Sequence, residues 1–325
     1  MAIDPVLKDE WFAVLRSDEL GEKPVQAVIM GERVVVFRNS EGVHAFKDLC
    51  VHRGSALSLG KVVDDTLMCP YHGWRFNSRG QCVCIPAQRP GAAIPLKAAA
   101  QVYRCEEKYG LIWVSLGQPA REIPRFEKFE SSEYRRYFTG PYLIKATAPR
   151  IIENFLDFSH LMWVHEGVLG DSAYPEIQDH KIHRIDDTLV SDEVVVYEYA
   201  DIDNTRKVVP NIYVKKALRP TVGYLQKRIN SGDKELASMI IATPVDELTT
   251  KAYMIVAQNF NLELDDEAML DISNLVMAQD IEILENQRPE ELPLDLQAEL
   301  SLKSDQMSIY YRKWLKELGV QWGTA

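Results

Sequence analysis

Cysteine and histidine are both scarce in this chain, five and seven in 325 residues. So few cysteines rule out a disulfide scaffold at this size, and a reducing, cytoplasmic setting is the expectation. No apolar run approaches the ~20 residues that a membrane span needs. The start, MAIDPVLKDEWF, has no basic segment ahead of an apolar core, so no secretory leader is expected. Positive charge is in deficit, 37 Lys and Arg against 48 Asp and Glu. A net charge near −11 argues against nonspecific binding to nucleic acid, whose phosphates it would repel. The chain has no G-x-G-x-x-G fingerprint and no Cys₄ ferredoxin run, hence no recognisable site for NAD(P)H or a flavin. Internal repeats and low-complexity segments are missing too. What is left is an ordinary globular composition, 46% apolar and 26% charged, at a length that suits two domains.

The first hundred residues read as short strands. Arg33 to Arg38 is rich in valine, is followed by the turn formers Asn39-Ser40-Glu41-Gly42, and leads into Val43 to Phe46, a hairpin signal. Further turns are expected at Asp64-Asp65 and Asn77 to Gly80. Leu111 to Leu116 is a last apolar strand before Gly117-Gln118-Pro119, which places a boundary at about 120 and gives domains 1–120 and 121–325. In the second part, Ile151 to His165 has the length and composition of a buried helix. Strands are expected at Ser191 to Tyr199, Ile212 to Leu218, Leu236 to Ala242 and Lys251 to Phe260. A long helix is expected from Asp265 to Gln287, opened by Asp265-Asp266-Glu267 and closed by Pro289 and Pro293, and another near Ser304 to Leu318. Strands with a few long helices give an α+β class.

The scarce residues are not scattered. Cys50-x-His52 and Cys69-x-x-His72 are two matched pairs, each beside a glycine, Gly54 or Gly73, with a hairpin between them. Two hairpin tips can bring the four side chains together. Zinc accepts Cys₂His₂, but zinc sites usually pair Cys with Cys and His with His. One of each per tip suits a [2Fe–2S] cluster with both cysteines on one iron and both histidines on the other.

The helix of the second part carries an ordered polar arc. At ~100° per residue, His160, Asp157, Asn154 and His165 fall in that order within about 140°, with Phe155, Ile152, Trp163 and Leu156 opposite. Four polar groups on a buried face need partners, and a solvated face would favour Lys and Glu. Two imidazoles and one carboxylate make the facial triad of non-haem Fe(II), with positions open to dioxygen. The carboxylate is either Asp157 or a distant one. Asp280 is the candidate, because it interrupts a largely apolar stripe of Met269, Ser273, Val276, Ile283, Leu284 and Gln287. Unpaired there it would be costly, and a metal would compensate it.

With CVHRG and CPYHGW in the first part and NFLDFSHLMWVH and AQDIEILENQ in the second, the chain resembles the α subunits of Rieske non-haem iron oxygenases over most of its length. It is most similar to the homotrimeric monooxygenase branch, which includes vanillate and dicamba O-demethylases, N-demethylases and cyanobacterial alkaloid-toxin hydroxylases. The resemblance implies a β-rich Rieske [2Fe–2S] domain followed by a helix-grip catalytic domain with an antiparallel sheet. It implies that Cys50, His52, Cys69 and His72 hold the cluster and that His160, His165 and Asp280 hold the mononuclear Fe(II). Asp157 matches the family's bridging aspartate, which binds His160 and, across a subunit boundary, His72 of a neighbour. Asn154 matches an asparagine near the iron. The implied activity is hydroxylation of a C–H bond in a small organic molecule with O₂, which becomes demethylation at an O-methyl or N-methyl carbon. Two external electrons are required, so a separate NAD(P)H-dependent reductase or ferredoxin is the expected partner. The competing reading is a Rieske electron carrier or ligand-binding protein whose second domain is not catalytic.

Several residues carry less. Cys82, Cys84 and Cys105 read as structural thiols, His44 as structural, and His180-x-x-His183 lacks a third metal partner. Lys47, Arg53, Lys61, Arg75, Arg79 and Arg89 surround the first motif and suit an acidic electron donor. Pocket residues are expected from Leu161, from strands over 212–260, and from Met277 or Ile283. Arg206, Arg219, Lys227 and Arg228 are candidates for meeting an anionic substrate.

Overall fold

A computed structural model describes residues 3–89, 91–199 and 207–325; Arg206 lies outside them. Two compact units divide at Ile123–Pro124.

The first unit is built on short antiparallel strands. A six-stranded sheet, ordered β1-β10-β9-β4-β3-β2, uses β1 (Phe12–Arg16), β2 (Val25–Ile29), β3 (Glu32–Asn39), β4 (Gly42–Lys47), β9 (Val102–Lys108) and β10 (Leu111–Ser115). The β3–β4 hairpin forms where its turn formers stand, with Asn39 Oδ1 accepting from Glu41 N at 2.9 Å. A second, four-stranded sheet runs β5 (Lys61–Val63), β6 (Thr66–Met68), β7 (Arg75–Phe76) and β8 (Cys82–Cys84). Asp64 and Asp65 both take positive φ at the β5–β6 tip, as a two-residue hairpin with a right-handed twist requires. Phe37, Phe46, Leu57, Leu67 and Phe76 form a core into which Cys50 and Cys69 are built.

The second unit opens with the short α1 (Glu127–Glu130) and wraps an eight-stranded antiparallel sheet. Its path is β11-β18-β17-β16-β15-β13-β12, with β14 paired to β15. The strands are β11 (Arg135–Ile144), β12 (Ile182–Ile185), β13 (Thr188–Ser191), β14 (Val194–Tyr199), β15 (Val208–Arg219), β16 (Val222–Arg228), β17 (Glu235–Pro244) and β18 (Thr250–Gln258). Three further helices complete it: α2 (Ala148–Leu156), α4 (Asp266–Leu284) and α5 (Gln306–Leu318), with the single turn α3 at Leu161–Val164. Asp265 caps α4, its Oδ1 accepting from Ala268 N at 2.8 Å. Helix α2 lies on β15, β16 and β17 and meets both α4 and α5.

The expected single helix over Ile151 to His165 is corrected here. The chain leaves the helix at Asp157, which is extended (φ −76°, ψ 143°), and re-enters at Leu161. The Asp157 side chain causes the break locally, because Oδ2 accepts the His160 backbone N–H at 2.8 Å, a capping bond that competes with helix continuation. The polar residues therefore sit on α2, on the break and just past α3, and do not share one helical face.

A buried ionic network fixes α2 to α5. Arg312 donates to both oxygens of Glu153 (2.5 and 2.9 Å) and to Glu299 (2.5 Å), and Arg150 donates to Glu299 (2.9 Å). Removing one partner from a buried pair strands the other charge, at a cost of about 3–5 kcal/mol. Arg312→Met is thus expected to lower Tm by roughly 10 °C, at ~2–4 °C per kcal/mol for a unit this large. A calorimetric scan checks it, and an unchanged Tm would show that the network is idle.

Candidate metal centres

In the first unit, residues 48–60 and 69–74 form two adjacent tips. Each closes on itself: Gly54 N donates to Cys50 O (2.9 Å) and Gly73 N to Cys69 O (3.1 Å). Both glycines have φ near +70°, a conformation in which any other residue would be strained. The tips bring the His52 and His72 rings to 4.6 Å between centroids. Trp74 stacks on His52 at 4.5 Å and Tyr71 leans on His72 at 3.9 Å. Both thiols are buried, and burial, reinforced by Cys69, pushes the Cys50 thiol up to about 11. A thiol so placed becomes a thiolate when positive charge, such as a metal ion, lies beside it. His52 Nδ1 is buried without any hydrogen-bond partner, which marks it as aimed at a missing ligand. These four side chains do not converge as a single-ion site does. Among the described residues, the one group of three or more His, Cys, Asp or Glu with ligand atoms all within 4.8 Å lies elsewhere. A wider, two-iron core fits this set, and one zinc ion does not.

That other group is His160, His165 and Asp280. Asp280 Oδ1 lies 3.2 Å from His165 Nε2 and 3.6 Å from His160 Nε2. The outer nitrogens are held. His160 Nδ1 pairs with Asp157 Oδ2 and His165 Nδ1 with Gln279 Oε1, both at 2.8 Å. Accepting oxygens on both Nδ1 atoms fix the Nδ1–H tautomers and leave both Nε2 atoms facing Asp280, available to a metal. Asn154 Nδ2 donates to Asp280 Oδ1 at 3.3 Å. Burial works against charge on His165, but Asp280 and Gln279 outweigh it and raise its pKa. Burial likewise opposes the Asp157 carboxylate, and the His160 ring outweighs it and holds the pKa low. The donor set is two nitrogens and one oxygen facing one point, which suits a divalent iron.

Lys215 and Gln279 were not legible as site residues. Lys215 is fully buried beneath the break in the helix and donates to the carbonyls of Phe155 (2.9 Å) and Asp157 (2.5 Å). It satisfies backbone groups that the broken helix would otherwise leave unpaired. Burial draws its pKa down to about 8, against the pull of Asp157, Asp280 and Glu198. The neighbours Ile212, Val214 and Ala217 hide it in what reads as a plain strand.

Around this group opens a cavity of about 420 Å³. Leu161 and Met277 line it as expected, whereas Ile283 is 45% exposed and does not. The i, i+3 spacing puts Ile283 off the inward stripe once α4 is docked. Lys227 lines the cavity, while Arg228 pairs with Glu193. His180 is buried against Phe158 and His183 pairs with Asp192, so that motif stays out of the site. In the basic set, Lys47 pairs with Glu32 and Arg75 with Asp64, while Arg53, Lys61, Arg79 and Arg89 are exposed.

Residues 10–104 match the Rieske [2Fe-2S] domain, and residues 144–321 match the vanillate O-demethylase oxygenase C-terminal domain. The chain belongs to the Rieske non-haem iron oxygenases. This oxygenase is 34% identical over 306 residues to methylxanthine N1-demethylase NdmA of Pseudomonas putida, covering 91% of this chain and 82% of that one. To methylxanthine N3-demethylase NdmB of the same species it is 29% identical over 315 residues, covering 94% and 86%. The solved structure of NdmA with caffeine superposes with a TM-score of 0.83 at 32% identity, covering 96% of this chain and 91% of that one. The oxygenase accordingly uses a Rieske cluster and a mononuclear iron, takes its electrons from a reductase or ferredoxin, and oxidises small molecules with O₂. No helix among the described residues is long and apolar enough to cross a membrane.

Proposed function

We propose that this oxygenase is an N-demethylase of small N-methylated heterocycles, with His160, His165 and Asp280 holding its mononuclear iron and Cys50, His52, Cys69 and His72 its cluster. The convergence of the first three residues within 4.8 Å on a cavity of about 420 Å³ carries the reading. Likeness to two methylxanthine demethylases along nearly the whole chain supplies the substrate class. Iron bound at three protein ligands supplies dioxygen activation at the positions left open.

The protein's own residues do the rest. Asp157 locks the His160 ring through Nδ1 and its own position through the backbone N–H. Gln279 locks the His165 ring through its Nδ1. Asn154 holds the Asp280 oxygen nearer the histidines, leaving the second oxygen free to adjust. The apolar lining, Ile151, Phe155, Ile240, Met254 and Val256 among others, excludes water and presents a methyl group. In a homotrimer Asp157 would also meet His72 of a neighbouring copy. Hydroxylation of an N-methyl carbon yields a hydroxymethyl amine, which breaks its C–N bond to give the N–H product and formaldehyde.

Given an NADH-dependent reductase, a ferredoxin-type carrier, NADH and O₂, the purified protein is expected to release one formaldehyde per caffeine consumed. A product keeping its methyl carbon as a stable alcohol, or turnover of vanillate but not caffeine, would replace this reading with hydroxylation or O-demethylation.

A further inference from the structure

The cavity of the second unit has one wall that its apolar remainder does not explain. Inward positions on β15 carry Asn211, Tyr213 and Lys215, and β16 adds Lys227 beside Tyr213. Behind them lies Glu198 of β14, only 1% exposed. Its carboxylate accepts from Asn211 Nδ2 at 2.5 Å and from the Tyr213 hydroxyl, and it pairs with Lys227 Nζ. Asn211, Tyr213 and Lys227 all line the cavity, and Glu198 does not.

A buried ion pair is no gain over well-packed apolar residues of the same size, so stability alone does not account for this one. Its arrangement does suit recognition. Glu198 orients three polar groups and leaves each with capacity to spare. An ammonium has three N–H donors, an amide two, and a phenol oxygen that donates one bond can still accept another. The wall also has a sign: Lys215, Lys227 and Lys234 line it, with Glu198 behind Lys227 and with Asp157 and Asp280 acting on Lys215 from the metal group. Cationic groups are disfavoured there and acceptor oxygens favoured. The spacing is right for a small ring system. Lys215 reaches the Asp157 carbonyl, and Tyr213 and Asn211 follow two and four residues along β15, roughly 7 and 13 Å at ~3.3 Å per residue.

We propose that Lys227, set by Glu198 and flanked by Tyr213 and Asn211, is the residue that reads the substrate, selecting ring compounds with a carbonyl or carboxylate oxygen remote from the oxidised carbon. This rests on the cavity being the substrate site, as in the reading above. A neutral ring carbonyl and a carboxylate share the required chemistry, and the test separates them.

The experiment measures dissociation constants by calorimetry on the metal-loaded protein for caffeine (ring carbonyls), vanillate (carboxylate) and 4-methoxybenzylamine (a cation of similar size). Wild type is expected to bind caffeine or vanillate below ~1 mM and the amine at least about tenfold more weakly. Lys227→Met should weaken the preferred probe by about tenfold or more, as loss of a charge-assisted bond implies. KM should rise with kcat nearly constant and the cluster absorption as in wild type, while Tm falls by several degrees because Glu198 keeps its buried charge without the ammonium. Tyr213→Phe, a smaller change, should weaken the same probe a few-fold. Equal binding of the amine, failure of both oxygen-bearing probes to bind wild type, or unchanged affinity in both variants each overturns the assignment. So does an equal loss of all three probes, the amine included, which would make the Glu198 group a structural one. If Lys227→Met does not fold, unchanged affinity in Tyr213→Phe is itself enough to overturn it. A probe that binds as expected but gives no formaldehyde defeats the demethylase reading and leaves Lys227 supported.

Discussion

Asp280→Ala is expected to abolish turnover while leaving the cluster intact. Asp280 Oδ1 is the oxygen that both imidazoles face, at 3.2 and 3.6 Å. Without it two neutral nitrogens remain, a poor set for a hard divalent ion that prefers at least one anionic oxygen. Asn154 loses its acceptor in the same change. Iron and acid-labile sulfide on anaerobically purified protein measure the outcome. Wild type should carry about three irons and two sulfides per chain, and the variant about two of each. Retention of the third iron would remove Asp280 from the ligand set. About two irons in both proteins, unchanged by added Fe(II), would leave an electron carrier in place of an oxygenase.

The second large effect is on the other unit. Cys69→Ser is expected to lose the cluster altogether, with the visible absorption and the labile sulfide, while the variant still binds Fe(II) at the second site. Cys69 is buried in a core with Leu67 and Phe76, where a serine hydroxyl gains neither water nor a soft metal partner. The Cys50 thiol is then left protonated beside it. Sulfide at the wild-type level in this variant would mean that the cluster is held elsewhere. One zinc and no sulfide in wild type would return the single-ion alternative that the spread of the four side chains opposes.

Those ligand candidates could be read from the sequence because their chemistry is local. Cys50-x-His52 and Cys69-x-x-His72 are close enough in sequence for one tip each, and the tips needed only a hairpin between them. His160, His165 and Asp280 stood out as polar residues in apolar surroundings, and the structure brings the three together. Strands β14, β15, β17 and β18 also lie where apolar runs place them, whereas β16 (Val222–Arg228) was not expected. The break at Asp157 does not. Phe155, Leu156 and Phe158 continue an apolar pattern straight through it, and what ends the helix is a side-chain bond to His160 N together with a lysine from a strand far along the chain. Gln279 and Glu198 were hidden for a related reason, since their partners, His165 and Lys227, become neighbours only once the sheet has closed. Ile283 was misassigned because a helical stripe gives an angle but not the line of contact.

Strand β15 performs two jobs on one face, holding the Asp157 turn through Lys215 and meeting the substrate through Tyr213 and Asn211. The alternation of a strand spaces those jobs by roughly 7 Å or more, about the separation beyond which substitutions combine additively. The two jobs still share Glu198, which bonds Asn211 and Tyr213 and acts on Lys215. A lineage, or an engineer, that exchanges residues at the Asn211 end to change which molecule is taken therefore disturbs the Asp157 turn least where Glu198 is kept.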